Sequence, residues 1–389
     1  MRLAIFENIM TPGGHEVDFD RIIVEEFQKL GHEVSFYVPE GFRFSFVYGV
    51  PVHYLHGDVV SYSGVTGLRR LYRTVLREKR RQGWYKELQR RGAAGEFDAL
   101  IVPTSTWRYL RALRHNPLRL SAVPVVFILH GINPGEAPKF LRAADRLADC
   151  PNIRPVVLTF GDSIFGERRA NIRTIYPPTY TPRDLEGYCP TSPEPDKPLV
   201  IGFFGQYRRE KRLEDFLQVY LRARQDFRRP VQLLVQGATM HPEDAEDFEG
   251  IIERYSGEEG IKFLHKGLIG RAWQQALAGI DVLLLPYSAT RYLYHWGGML
   301  FTAIGFGKPV IASDDMNPEV FAASKVGKTF RSGDLEDLQR VLTEFINSYA
   351  AEAPSYREGL AEAASLYAPE AFARHLEEII NAREIHADT

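Results

Sequence analysis

Cysteine is almost missing from this chain. The two residues present, Cys150 and Cys189, cannot build a disulfide framework, and with no CxxC pair they offer no zinc site. They read as ordinary thiols of a reducing compartment. An excess of either charge is missing too. Lys plus Arg number 48 against 50 Asp plus Glu, a formal charge of −2, so no global field draws the protein to nucleic acid or to an anionic membrane. Nucleic acid is not expected as a partner, and any electrostatic attraction has to be local. Long hydrophobic runs are absent. The longest, 123–129 and 280–286, fall well short of the ~20 residues that cross a bilayer, and the run at 3–6 is too short for a signal-peptide core. The expected location is the cytoplasm, with a peripheral position at the inner face of the membrane left open. G-x-G-x-x-G is also lacking, which argues against a nicotinamide oxidoreductase.

What remains is an ordinary globular composition, 44% hydrophobic and 25% charged over 389 residues, enough for two to three domains at ~150 residues each. Short apolar runs alternate with amphipathic segments. Runs at 3–6, 34–38, 99–102, 125–129 and 156–158 predict strands, and Phe19, Ile22, Ile23, Phe27 and Leu30 mark one helical face that Gly31 ends. A proline-dense stretch follows, and then alternation resumes. Strands are predicted at 200–204, 232–235, 261–264, 282–285 and 309–312, helices at 213–223, 272–277 and 298–305, and a helical tail from Leu335 onward. Continuous apolar strands separated by helices indicate parallel sheets covered on both faces. The expected organisation is an N-terminal Rossmann-like domain over 1–182 and a Pro-rich hinge at 183–198. A second Rossmann-like domain follows over 199–366, and a C-terminal helix at 367–389 packs back on the first.

Four segments could carry chemistry. Gly13-Gly14 sits between the first strand and its helix, where glycine lets a backbone approach a ligand and the helix N-terminus presents amides. His130-Gly131 follows a strand, the edge where open parallel sheets bind ligands, and its imidazole can donate to a hydroxyl or balance a phosphate. Gly205-Gln206-Tyr207-Arg208-Arg209-Glu210-Lys211 places cations after a glycine turn at the mouth of a helix, as a diphosphate requires. A solvated charged turn is the alternative there. The fourth is Tyr294-His295-Trp296-Gly297-Gly298-Met299, where two glycines open a short apolar helix and expose amides.

With these segments in this order, the chain resembles the GT-B glycosyltransferases, in particular family 4, the "group 1" retaining enzymes. The likeness runs over nearly the whole length and is strongest over 200–338. Gly13-Gly14 and the helix ending Leu30-Gly31-His32-Glu33-Val34 match the family's opening unit, and His130-Gly131 its active-site histidine. Gly205 to Lys211 match its glycine turn and phosphate-binding lysine. Ala278-Gly279-Ile280-Asp281, Gly307-Lys308-Pro309-Val310 and Pro318-Glu319-Val320 match the last third.

The resemblance implies a nucleotide-sugar donor bound by the C-terminal domain and a glycan or lipid-linked acceptor bound by the N-terminal one. It implies a cleft between them, no cofactor or required metal, and retention of configuration, in polysaccharide or glycoconjugate assembly. Gly13, Gly14, Gly205, Arg208, Lys211, Gly297, Gly298, Met299 and Thr302 are then the candidate donor-binding residues, and His130, Tyr294 and His295 the candidate catalytic ones. Two departures stand out. The family has two glutamates eight positions apart, and Tyr294 and Thr302 occupy those places. Its arginine after the glycine turn is Gln206 here, with Arg208 or Arg209 as the substitute. A non-catalytic module that binds nucleotide or glycan is the alternative reading.

One further segment stands apart from this likeness. Residues 68–91 hold ten Lys/Arg, with Leu68, Leu71, Tyr72, Val75 and Leu76 at helical spacing and Trp84, Tyr85 and Leu88 beyond. A basic amphipathic helix can lie on anionic lipid. The same apolar stripe would also suit packing on a sheet.

Overall fold

The computed structural model describes residues 1–9, 15–60, 67–161, 163–166, 169–190, 197–287 and 290–382. Gly13 and Gly14 lie outside them. The chain forms two compact units. One comprises Met1–Pro177, Tyr294–Trp296 and the chain from Pro369; the other comprises Pro178–Leu293 and Gly297–Ala368. The division therefore falls at Pro177/Pro178, ahead of the stretch expected as a hinge, and residues 294–296 group with the first unit.

In the first unit, β1 (Arg2–Phe6), α1 (His15–Lys29), β2 (Glu33–Glu40), β3 (Val52–Asp58), α2 (Gly67–Ala93) and β4 (Ala99–Ser105) come first. They are followed by α3 (Trp107–Ala112), β5 (Val125–Leu129), α4 (Ala137–Asp145), β6 (Ile153–Leu158) and β7 (Arg173–Ile175). The sheet order is β3-β2-β1-β4-β5-β6-β7 with every pair parallel. All five residues of β5 are buried, because helices cover both faces and no alternation with polar residues is needed. Phe6, Trp84, Tyr85, Phe97 and Phe127 fill the core on one side. The stop signal after α1 works through a Schellman turn: Gly31 adopts φ 82°, its N–H donates to Gln28 O, and His32 N–H donates to Phe27 O. The edge strands β3 and β7 had no clear apolar run in the sequence, and their burial patterns show why: most of their residues face solvent.

The second unit contains β8 (Leu199–Phe203), α5 (Leu213–Ala223), β9 (Val231–Gly237), α6 (Pro242–Tyr255), β10 (Ile261–His265), α7 (Gly270–Ala278) and β11 (Val282–Leu285). It continues through α8 (Gly298–Gly305), β12 (Val310–Ser313), α9 (Pro318–Ala323), β13 (Gly327–Phe330) and α10 (Leu335–Leu366). Its sheet runs β10-β9-β8-β11-β12-β13, again all parallel. Asp334 caps α10 by accepting from Glu336 and Asp337 N–H.

The helical tail breaks at Tyr367 and Ala368, since Ala368 precedes Pro369 and a residue before proline is pushed out of the helical region. The last helix, α11 (Pro369–Asn381), belongs to the first unit and packs on α1. There Phe372 lies 5.6 Å from Phe19 and Glu377 lies 2.7 Å from His32. Among the described residues no helix is long and apolar enough to cross a membrane.

Candidate active site

Each sheet has a topological switch point, where strand order reverses and ligands bind beyond the carboxyl ends. In the first unit it lies between β1 and β4, and in the second between β8 and β11.

His130 follows β5 at the carboxyl edge of the first sheet and is buried. Its Nε2 is 2.9 Å from Pro103 O. A carbonyl only accepts, so Nε2 carries the proton, and Nδ1 is the acceptor when the ring is neutral. The ring is walled by Phe19 at 4.6 Å and Trp296 at 5.3 Å between centroids, both edge-on. The Tyr294–Trp296 segment reaches it through backbone pairing. Trp296 N–H donates to His130 O at 3.0 Å, Ile132 N–H donates to Tyr294 O at 3.1 Å, and Gly131 bridges His295. Gly131 makes this possible. Its φ is 116°, and a Cβ there would collide with the backbone of Tyr294 and His295. Glu7 and Asn8 follow β1 and are both buried; Glu7 accepts from Asn8 N–H at 2.6 Å, and Asn8 accepts from the Tyr109 hydroxyl at 2.7 Å.

The second unit gathers several of the candidate donor residues. Gly205 follows β8 with φ 110°, and its N–H donates to the buried Gln236 Oε1 at 3.0 Å. The open side of Gly205 faces Met299 and Lys211: a Cβ there would stand 3.6 Å from Met299 Sδ and 3.7 Å from Lys211 Nζ. Lys211 Nζ lies 4.8 Å from the centre of the Tyr287 ring, just past β11, and 5.7 Å from that of Phe203. Gly205, Lys211 and Met299 thus meet at the switch point, beside the first turn of α8. That turn leaves the amides of Gly298 and Met299 without a partner inside the helix.

The other cations of the turn sit elsewhere. Arg209 donates to Glu243 O at 3.0 Å and pairs with Asp247 at 3.6 Å, while exposed Arg208 donates to Gln206 at 3.2 Å. Nor is the mouth of α5 itself an anion seat. Glu214 and Asp215 occupy its first turn, and Asp215 pairs with Arg212. Of the turn's cations, it is Lys211 that lies beside the first turn of α8.

Two candidate residues turn out to be occupied with the fold. Thr302 is buried and its hydroxyl donates to Gly298 O at 2.8 Å, closing the helix on itself. Gly297 is glycine because a Cβ would sit 2.6 Å from Met316 Sδ and 2.9 Å from Asn317 Oδ1. No local motif in the sequence marks Asn317. At φ 45° it accepts from Gly297 N–H at 2.9 Å and donates to Tyr292 O at 2.8 Å, fixing the entry to α8. Two residues of the motifs shared with the family act in the same structural way. Lys308 is buried with Nζ donating to Ala278 O, and burial holds its pKa below the usual lysine value despite the opposing pull of Asp281. Asp281 accepts from Val200 N–H, and burial raises its carboxyl. Among the described residues no group of three or more His, Cys, Asp or Glu side chains is placed to hold a metal.

Residues 190–367 match the family model described as glycosyl transferases group 1. No curated protein matches the sequence. Among solved structures, Anabaena Alr3699/HepE in complex with UDP and glucose is 16% identical at TM-score 0.66, covering 97% of this chain and 98% of that one. Sucrose-phosphate synthase from Thermosynechococcus elongatus is 15% identical at 0.65, with the same coverage. The catalytic domain of starch synthase IV from Arabidopsis thaliana, bound to ADP and acarbose, is 14% identical at 0.64, also over 97% and 98%. At such identities the likeness speaks for the fold, and the family match speaks for the second unit, where Gly205, Lys211 and α8 lie. Residues 190–367 thus match the group 1 glycosyl transferases, and the chain as a whole has the GT-B fold of these solved structures.

Proposed function

We propose that the protein transfers a sugar from a nucleotide-diphosphate sugar to a glycan or lipid-linked acceptor, in polysaccharide or glycoconjugate assembly. The observation that carries this reading is the meeting of Gly205, Lys211 and Met299 at the N-terminus of α8. As the bond from the anomeric carbon to the diphosphate oxygen breaks, negative charge grows on the leaving group. A fixed ammonium and preorganised amides there stabilise the transition state more than the ground state. The Tyr287 ring beneath Lys211 holds the ammonium in place. The second unit is the donor side in this reading. The first unit, with His130, is the acceptor side, and the fixed tautomer makes Nδ1 the atom that accepts a hydroxyl proton or its hydrogen bond. Retention of configuration is part of the proposal.

Neither family glutamate position holds a carboxylate. Sugar and ribose contacts then fall to neutral groups, which bind about half as strongly as charged ones. The Anabaena relative holds UDP and glucose, so uridine-diphosphate sugars head the panel to test. Release of nucleoside diphosphate that depends on an added acceptor supports transfer. Tight diphosphate binding with no turnover on any donor would favour the non-catalytic module instead.

A further inference from the structure

The N-terminal half of α2 carries an apolar stripe that the fold leaves uncovered. Leu68, Leu71, Tyr72 and Val75 are 85%, 62%, 67% and 62% exposed, the densest run of exposed large apolar side chains among the described residues. This is not the face by which the helix is attached. Arg81, Trp84, Tyr85 and Leu88 are buried, with Trp84 Nε1 donating to Gly57 O and the Arg81 guanidinium over the Tyr109 ring. At 3.6 residues per turn the two sets are centred about 140° apart around the helix. Packing on the sheet therefore takes one side of the C-terminal half, while the stripe on the N-terminal half points away from it.

Charge says what covers the stripe. Arg69 borders it on one side, and Lys79, Lys86 and Arg90 continue its line along the helix, all exposed. The acidic residues of α2 are already engaged: Glu78 pairs with Arg81 at 2.6 Å, and Glu87 with Arg91 at 2.7 Å. Apolar side chains bordered by long cations, with no uncompensated carboxylate on the helix, match a surface that is apolar inside and anionic outside. Arginine and lysine stems reach along the apolar layer while their heads stay at the phosphates. A protein partner fitting this face would need a matched acidic groove; an anionic bilayer needs no such fit.

We infer that the first turns of α2 dock the protein on an anionic membrane surface, with Leu68, Leu71, Tyr72 and Val75 inserted at the headgroup boundary and Arg69, Lys79 and Lys86 on the lipid phosphates. This does not depend on the sugar-transfer reading.

The test is flotation of the full chain with vesicles of phosphatidylcholine alone, or with about a third of the lipid replaced by phosphatidylglycerol. Binding is expected only to the anionic vesicles and falls as salt rises, because the Debye length shortens from about 10 Å at 0.1 M to 3 Å at 1 M. The double change Arg69→Gln and Lys79→Gln lowers partitioning about 30-fold, from ~1 kcal/mol per cation near the surface. Leu71→Ser with Val75→Ser lowers it at least tenfold on anionic vesicles. Because these side chains are exposed, the variants keep the wild-type melting temperature. No binding to anionic vesicles at low salt, equal binding to neutral ones, or binding unaffected by these changes would overturn the inference. So would self-association in the ultracentrifuge that the Leu71 and Val75 changes abolish, since the occupant would then be a second copy.

Discussion

Trp296 closes over His130: the rings lie 5.3 Å apart, and the Trp296 N–H donates to the His130 carbonyl at 3.0 Å. Phe19 completes the wall at 5.4 Å from Trp296. The histidine is thus fixed by a carbonyl at Nε2 and by two aromatic rings packed against it in T-shaped contacts. Its position is set before any ligand arrives.

Gly131 is the residue on which that arrangement turns. Gly131→Ala puts a Cβ against the Tyr294 and His295 backbone and also demands φ 116° of an L residue. The expected loss is about 2–4 kcal/mol of stability, the range of strain at a special backbone position with local overpacking. Denaturant unfolding measures it, and a change below about 0.5 kcal/mol would refute the close approach.

Lys211→Ala should weaken nucleoside diphosphate binding by ~1.5–3 kcal/mol, the contribution of a hydrogen bond to a charged group. Nucleoside binding should hardly change. Calorimetry with both ligands separates the outcomes, and equal losses would make Lys211 a support of the fold.

The two glycines at the start of α8 should behave differently. Asn317→Ala leaves the buried Gly297 N–H without its acceptor and should cost about 1–3 kcal/mol of stability. Gly298→Val should abolish diphosphate binding in a protein that still folds, by blocking approach to the amides. Retained binding in a folded Gly298→Val protein would remove α8 from the donor site.

Glu352 ties α10 to the strand beside it. Burial alone would raise its carboxyl, but hydrogen bonds from Ser348, Lys328 and Lys325 outweigh that and hold its pKa at about 2, against 4.5 ordinarily. The folded value lies below the unfolded one, so this contribution to stability is present above the unfolded pKa and is lost as pH falls through about 2. Unfolding free energy should decline across that window, and Glu352→Gln should flatten the decline. An equal slope in both proteins would show that other carboxylates carry it.

The order of elements was legible in the sequence. Apolar runs place the central strands, the spacing at 213–223 and 298–305 gives helices with the ends the structure has, and Gly31 marks a stop. The convergence on α8 was partly legible, since Gly205, Lys211 and Met299 follow a glycine turn or open a helix. These features are local. They follow from backbone sterics and from which residues avoid water, and the sequence states both directly.

Tertiary structure decided the rest. Nothing in Tyr294-His295-Trp296 says that three residues between two elements of the second unit group with the first. That depends on Gly131, more than 160 positions earlier, leaving room for them. Thr302 could have faced a ribose until the fold buried it against Gly298, and Gly297 could have faced a ligand until Met316 and Asn317 arrived beside it. The stripe on α2 shows the limit most plainly. Helical spacing reveals that Leu68, Leu71, Tyr72 and Val75 share a face, but a face is apolar whether a sheet covers it or nothing does. Only the position of the neighbouring layers decides which, and no single segment encodes that position.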